Sequence, residues 1–389
     1  MADLKILVLD NNWIQTGYLV AEMSRANIEV ILASPSQPSS RMLGRYCRHV
    51  QTPAVTDPGY DEFLHALSSK EDADFVYAAC DPAQHALWTS EELLPGNIFP
   101  QTTPWQRDLL TDRRQCYEFV SRLGLPTPRM LSIPDIQAVE SVVATLGLPC
   151  IIRGTQGCGG SQVNLVCSAY EARTAYNTLA QISPGCPFGQ EFVAGQRCLI
   201  GGLFHHGAAL QLFSQCTLEA VDPTGPSIRV RSLCDPVLTD FAKQLFGALQ
   251  WDGLACAEFI RTDAGQYIFL EINTRPWAAI RAAHRCGIPL LRQFAQYLAG
   301  RYTGKPQPYP HGMDCTLFPA FFIARIRSAG FPRAKDLKAY WQATMAAPWT
   351  QLSLLHHHLR LIRWSFSEGT RQKTCASAQY HSNSETPKT

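Results

Sequence analysis

Residues 269–280 read FLEINTRPWAAI. Glu271, Asn273 and Arg275 stand at alternate positions behind an apolar run, and in a β-strand residues two apart share a side. One face therefore carries a carboxylate, a carboxamide and a guanidinium, a set that is costly to bury without a polar partner. Upstream, Glu258 in CAEF stands on the other arm of a hairpin expected around the turn DAG at 263–265. Two converging carboxylates with the Asn273 carbonyl make a hard oxygen set, the type that binds Mg²⁺ together with polyphosphate oxygens. Without a metal, one of two close carboxylates takes up a proton. The competing reading is a solvated strand face with ordinary ion pairs, and the compactness of the pattern favours the metal.

A second chemical feature is GTQGCGGS, Gly154–Ser161, between two apolar strands. Glycines let backbone N–H groups close on phosphate oxygens. Such loops are common as plain turns, but Arg153 precedes this one, and a guanidinium suits phosphate bidentately. Ser227, Arg229 and Arg231 alternate in PSIRVRS, so both arginines share one face; an edge strand protected by charge is the plain alternative. Trp277 and Trp13 are candidate pocket walls. Three consecutive histidines, His356–His358, point in different directions on a helix and make no ligand set.

These groups need elements to hold them. KILVLD, a helical pattern over GYLVAEMSRAN and IEVILAS form a βαβ opening, so a parallel sheet is expected, with DFVYAAC as a further strand. No GxGxxG follows the first strand, so dinucleotide binding has no support. Ligands of such sheets lie beyond the carboxyl ends of the strands, which singles out Asn11, Asn12, Trp13 and Asp81. Helices are expected from near Trp105 to Gly124, where Gly and the Pro126–Pro128 pair stop them. Mixed strands and helices follow: PCIIRG, a hairpin over CLIGGLFHHGAALQLFSQ, a helix over LTDFAKQLFGALQW, and the paired strands around DAG. Beyond Tyr309 the pattern reads as amphipathic helix, and from about Ser367 it is polar and Ser/Thr-rich, with the composition of a disordered tail.

Bulk properties exclude several classes. Of 389 residues, 46% are hydrophobic and 17% charged, an ordinary soluble balance, and the net charge of +2 gives no case for nucleic acid or an acidic membrane. The 14 cysteines form no CxxC pair, as expected for reduced thiols in a cytoplasmic protein. No apolar stretch reaches the roughly 20 residues that span a bilayer, and the start of the chain lacks a signal-peptide layout.

The order of these segments (a small α/β unit, TDR, GLPTP, PCIIR with its glycine loop, GQEFVAG, CAEF and LEINTR) resembles the ATP-grasp superfamily over residues 4–300. Within it, EINTRPW and PTGPSIRVRSL are similar to the predicted ATP-grasp carboligases. The resemblance implies a doubly wound α/β domain over 1–103, an ATP-grasp domain of two α+β subdomains over 104–310 that divides near 189, a mostly helical extension over 311–366, and the tail over 367–389. It implies ATP as cosubstrate with Mg²⁺, two ions in the usual arrangement and Mn²⁺ as a substitute. Glu258, Glu271 and Asn273 match the metal ligands, and Arg275 matches the arginine that stabilises the acyl-phosphate and the tetrahedral intermediate. Glu191, Phe192 and Val193 match the hinge that meets adenine, with Gln196 near the ribose. Gly157, Gly159, Gly160 and Ser161 fall in the phosphate loop. Arg113 and Arg153 stand where most members carry phosphate-binding lysines, which keeps the charge and changes its geometry. Ser227, Arg229, Arg231, Trp277, Asn11 and Asp81 fall where substrate approaches. The implied activity is an ATP-dependent carboxylate–amine ligase with small-molecule partners, and a homodimer is open to it. A carboxylase or phosphotransferase on the same site, or a nucleotide-binding module without catalysis, are the alternatives.

Overall fold

The computed structural model describes residues 4–10, 14–35, 43–55, 57–89, 98–156, 162–183, 185–220 and 225–317. Asn11, Asn12, Trp13, Gly157, Gly159, Gly160, Ser161, His356–His358 and nearly all of the expected helical extension and tail lie outside these residues.

The first unit follows the βαβ pattern. Strands β1 (Leu4–Leu9), β2 (Ile28–Ser34), β3 (Arg48–Gln51), β4 (Phe75–Ala78) and β5 (Ile98–Phe99) form a parallel sheet in the order β3-β2-β1-β4-β5. Helices α1 (Ile14–Arg25), α2 (Tyr60–Glu71) and α3 (Asp81–Thr89) make the crossovers. Strand order reverses between β1 and β4, so α3 starts at the switch point, where such sheets place ligands.

Helices α4 (Pro104–Thr111) and α5 (Arg113–Arg122) come next. Thr103 and Gln106 form a reciprocal capping box ahead of Pro104, and the Asp112 carboxylate accepts the N–H groups of Arg114 and Gln115. Asp112 is therefore both the end of one helix and the cap of the next, which aims Arg113 inward. A four-stranded antiparallel sheet follows: β6 (Met130–Ser132), β7 (Cys150–Arg153), β8 (Val163–Val166) and β9 (Phe188–Glu191), in the order β6-β9-β7-β8. Helices α6 (Val139–Leu146) and α7 (Ala169–Ile182) cover it, burying Val142, Val143, Tyr176 and Leu179 against Cys150 and Ile152.

The largest sheet is antiparallel and has six strands: β10 (Gln196–His205), β11 (Ala208–Ala220), β12 (Ser227–Leu233), β13 (Gly253–Arg261), β14 (Tyr267–Asn273) and β15 (Asp314–Thr316). Its order is β14-β13-β10-β11-β12-β15. Helix α8 (Pro236–Leu249) packs on one face, where Trp251, Phe204, Phe246, Phe259 and Phe269 form a core with Tyr117 of α5. Helices α9 (Arg281–Arg285) and α10 (Leu290–Leu298) follow β14. They join this sheet to the first: Phe294, Trp277, Leu203 and Phe213 share one core with Val8, Leu19, Met23 and Tyr77. Gly201 belongs to this junction. A Cβ there would sit 2.5 Å from Cys256 Cβ and 2.8 Å from Trp277 Cη2, so only glycine lets the indole lie across β10.

One expectation changes. The periodicity just past Tyr309 predicts helix, but Asp314–Thr316 form β15 on the outer edge of β12. The cause is charge: Asp314 sits opposite Arg231 and takes both Arg229 and Arg231, which outweighs helical periodicity for three residues.

Candidate active site

Strand register assembles the site. Glu258 and Glu271 are directly opposed across β13 and β14, and the row continues through Leu199 on β10 to Gln215 on β11. The neighbouring row runs from Ile260 through Arg197, two residues before Leu199 and hence on the same face. These residues form the floor of a cleft of about 430 Å³. Its roof comes from the four-stranded sheet through Ile151, Arg153, Val163 and Gln190, and its rear from Phe192–Gly195. Asn273, Arg275 and Trp277 close one end, and Ser227 stands at the other side with Gly225.

Charges are interlocked around Glu271. Arg113 Nη1 donates to its Oε2 at 3.1 Å and Asn273 Nδ2 to its Oε1 at 3.1 Å. Burial pushes this carboxyl up, but Arg113, Arg153, the Asn273 amide and Arg275 outweigh it, so the pKa lies below the ordinary value. Glu258 lacks such a cage. Burial first, and Glu271 second, push it up to about 7 against weaker opposition from Arg197 and Arg275. The pair is thus split, one acid held ionised and one ready to keep a proton. That division is what two opposed carboxylates adopt when no cation lies between them. An all-oxygen set from Glu258, Glu271 and the Asn273 carbonyl fits a hard divalent cation.

The split has a consequence for stability. A folded pKa of about 7, against 4.5 for the ordinary group, means the folded chain binds this proton more tightly than the unfolded chain. The contribution is complete below pH 4.5 and is lost as pH rises through 7. Glu258→Gln is expected to stabilise the metal-free protein at pH 8 by on the order of 2 to 3 kcal/mol, with little effect at pH 5. Urea unfolding at the two pH values measures this. Equal midpoints for variant and parent at pH 8 would contradict the split.

Arg275 is fixed from the first domain. Its Nε donates to Asp81 Oδ1 at 2.8 Å and its Nη2 to Asp81 Oδ2 at 2.7 Å, with Asn273 Oδ1 a second acceptor for Nη2 at 3.0 Å. Beside it, Gln84 of α3 donates to Thr274 O at 3.2 Å and accepts from Thr274 Oγ1 at 2.7 Å. Asp81 therefore sets the plane of a guanidinium that lines the cleft. Asp81→Asn is expected to lower kcat about 10- to 100-fold with the KM for nucleotide within about threefold. Steady-state kinetics with kcat unchanged would deny Asp81 that role.

Arg153 is buried between the sheets, donating through Nη1 to Gln190 Oε1 at 2.8 Å and to Tyr117 Oη at 3.2 Å. Its Nε has no hydrogen-bond partner among the described residues, and burial lowers its pKa. Arg113 is not among the cleft walls and meets the site through its ion pair with Glu271. Of the hinge residues, Phe192 and Val193 line the cleft, whereas the Glu191 N–H is taken by Arg129 O at 2.9 Å and its carboxylate lies near Arg129. Gln196 points to Thr217 O at 3.4 Å and is not among the cleft walls.

Three expected substrate residues are not among the cleft walls: Asp81, which holds Arg275, and the two arginines of β12. Arg229 pairs with Glu219 and Asp314 at 2.9 Å each, and Arg231 with Asp314 at 2.6 Å. β12 is an inner strand whose arginines anchor β15, not an edge strand. Arg197 is a cleft residue that the sequence pattern did not single out. It lines the cleft and donates to Gly225 O at 2.7 Å. Its place two residues before the partner of Glu258 rests on the register of β10 against β13, which local pattern does not give.

No family model matches the chain. Among curated proteins, the carbamoyl phosphate synthase large chain of Methanosarcina mazei is 24% identical over 277 residues, 63% of this chain. That match takes in 25% of the relative, so the chain spans about a quarter of its length. Among solved structures, the biotin carboxylase domain of the Hydrogenobacter thermophilus 2-oxoglutarate carboxylase, a dimer holding MgADP, ADP and bicarbonate, matches with a TM-score of 0.66. It is 14% identical, over 80% of this chain and 73% of that one. An L-amino acid ligase from Bacillus licheniformis matches with a TM-score of 0.61 at 14% identity, over 79% of this chain and 78% of that one. The likeness covers about four fifths of the chain: the chain has the ATP-grasp fold.

Proposed function

We propose that this chain is an ATP-dependent ligase that joins a small carboxylic acid to an amine through an acyl-phosphate, releasing ADP and phosphate. The observation that carries the reading is the opposed Glu258–Glu271 pair at the floor of a two-sheet cleft, with Asn273 and Arg275 beside it. The carbamoyl phosphate synthase relative and the L-amino acid ligase neighbour support it.

The cleft divides by chemistry. Ile151, Val163, Ile260 and Leu270 are apolar walls beside the backbone of Phe192 and Val193, a slot suited to a purine. Arg153 lines the same cleft and would meet the phosphates. Glu258, Glu271 and the Asn273 carbonyl would hold Mg²⁺, in one or two ions, which supplies charge neutralisation of the transferring phosphoryl group. The substrate carboxylate attacks the γ-phosphorus and ADP leaves, giving the acyl-phosphate. The amine then adds to the carbonyl carbon, and phosphate departs as the amide forms. Arg275, with its plane set by Asp81, stands to stabilise the oxyanion of that addition. Glu258 and Glu271 are the only carboxylates among the described residues lining the cleft, so no described acid is left as a base and the amine arrives neutral.

The test is ADP release with Mg-ATP across pooled amino acids and small carboxylic acids, with and without amines. Release that depends on acid supports the ligase; tight ATP binding with no release in any pool would leave a nucleotide-binding module. A second reading keeps the site and takes bicarbonate as the acid, favoured by the bicarbonate in the biotin carboxylase neighbour. Release stimulated by bicarbonate alone separates it. We carry the dimer of that neighbour to this chain as well; a monomer mass by light scattering would overturn it.

A further inference from the structure

We propose that His205, His206 and Asp252 form a second divalent metal site, of the zinc class, at the end of β10 remote from the cleft. β10 and β11 are joined by a two-residue turn, His206-Gly207, with both residues in the left-handed region at φ 46° and 79°. The turn brings the two imidazoles together, ring centres 4.3 Å apart. Each brings Nδ1 to a different oxygen of one carboxylate: His205 lies 3.2 Å from Asp252 Oδ1, with Tyr297 Oη closer at 2.7 Å, and His206 lies 3.1 Å from Asp252 Oδ2. All three ligand groups fall within 4.8 Å of one another. Bonds of roughly 2.0–2.1 Å let one ion draw on all three groups after a small closure from this spacing.

The surroundings orient this set as outer-shell groups do around a metal. Asp252, just before β13, accepts the His206 N–H at 2.8 Å and the Tyr297 Oη of α10 at 3.0 Å. A plain turn cap needs only the backbone N–H and gives no reason for two imidazoles on one carboxylate. His205 and His206 are exposed, at 51% and 72%, so an ion can enter and water can complete its shell. Two imidazole nitrogens and one carboxylate suit zinc, copper or nickel ahead of magnesium, which separates this site from the all-oxygen set of the cleft. Along β10, from Leu199 beside Glu258 to His205, the two sites are about 20 Å apart. A bound ion would pin the hairpin to the start of β13 and, through Tyr297, to α10.

The probe is ZnCl₂ titrated into the full chain by calorimetry. His206→Asn keeps a residue that tolerates the left-handed turn and removes the imidazole. The wild type is expected to show a micromolar or tighter event that His206→Asn and His205→Gln each weaken at least tenfold. Glu271→Gln, and a variant with asparagine at His356–His358, are expected to retain it. Equimolar zinc should raise the melting midpoint of the wild type and leave that of His206→Asn unchanged, a readout independent of activity. No event in the wild type, an event unaltered by His206→Asn, or one lost in Glu271→Gln instead would overturn the proposal.

Discussion

Glu271→Gln is expected to lower acid-dependent ADP release by at least about 1,000-fold, a loss of about 4 kcal/mol of transition-state stabilisation, while the chain stays folded. Glutamine is nearly isosteric, and its one carbonyl oxygen can take over from either the oxygen that meets Arg113 Nη1 or the one that meets Asn273 Nδ2, but not from both. What disappears is the charge that Arg113, Arg153 and Arg275 hold ionised opposite Glu258. The cation then loses one of its two carboxylates, and burial still opposes ionisation of the other, Glu258. Magnesium affinity measured with ADP present should fall with turnover, and circular dichroism should be unchanged. Turnover within about tenfold of the parent would mean that the opposed pair is not the metal site.

Arg275→Ala is expected to lower kcat by about 100- to 1,000-fold, the usual effect of removing one oxyanion donor. Deletion also strands Asp81, half of a bidentate pair whose arginine side chain is 7% exposed, and a partner left behind in such a pair is destabilising. Two measurements separate chemistry from fold damage. Free guanidinium should restore part of the activity of Arg275→Ala, because the missing group is then supplied in solution. Arg275→Lys should keep the charge but not the fork on Asp81, and should remain well below the parent. Full activity in the lysine variant would show that geometry at this position is unimportant.

Much of this site is legible in the sequence because it is local. The alternation in LEIN and the turn DAG lie within a single hairpin, so period-two reasoning places Glu271 and Asn273 on the cleft face opposite Glu258. Asp81 follows from a topological rule, that ligands lie beyond the carboxyl ends of parallel strands. In the folded chain Asp81 instead grips Arg275, a partner 194 residues away, and no local pattern encodes that contact. Arg229 and Arg231 are misplaced by local reasoning for the same cause, since their partner Asp314 is contributed by a segment whose own periodicity looks helical. Arg197 is legible in part. Its place on the cleft face follows from register across β10 and β13, and register between strands separated by a helix and a hairpin is set by core packing, here by Gly201 beneath Trp277.

The measurement that tests the central claim most directly uses an acid identified from the pools, labelled with ¹⁸O in both carboxyl oxygens. It is incubated with Mg-ATP and its amine, and the products are weighed by mass spectrometry. Acyl-phosphate chemistry predicts a product at the mass of acid plus amine minus water that retains one ¹⁸O, with the second ¹⁸O in the released phosphate. Phosphate free of label, with both heavy oxygens still on the acid, would contradict the account.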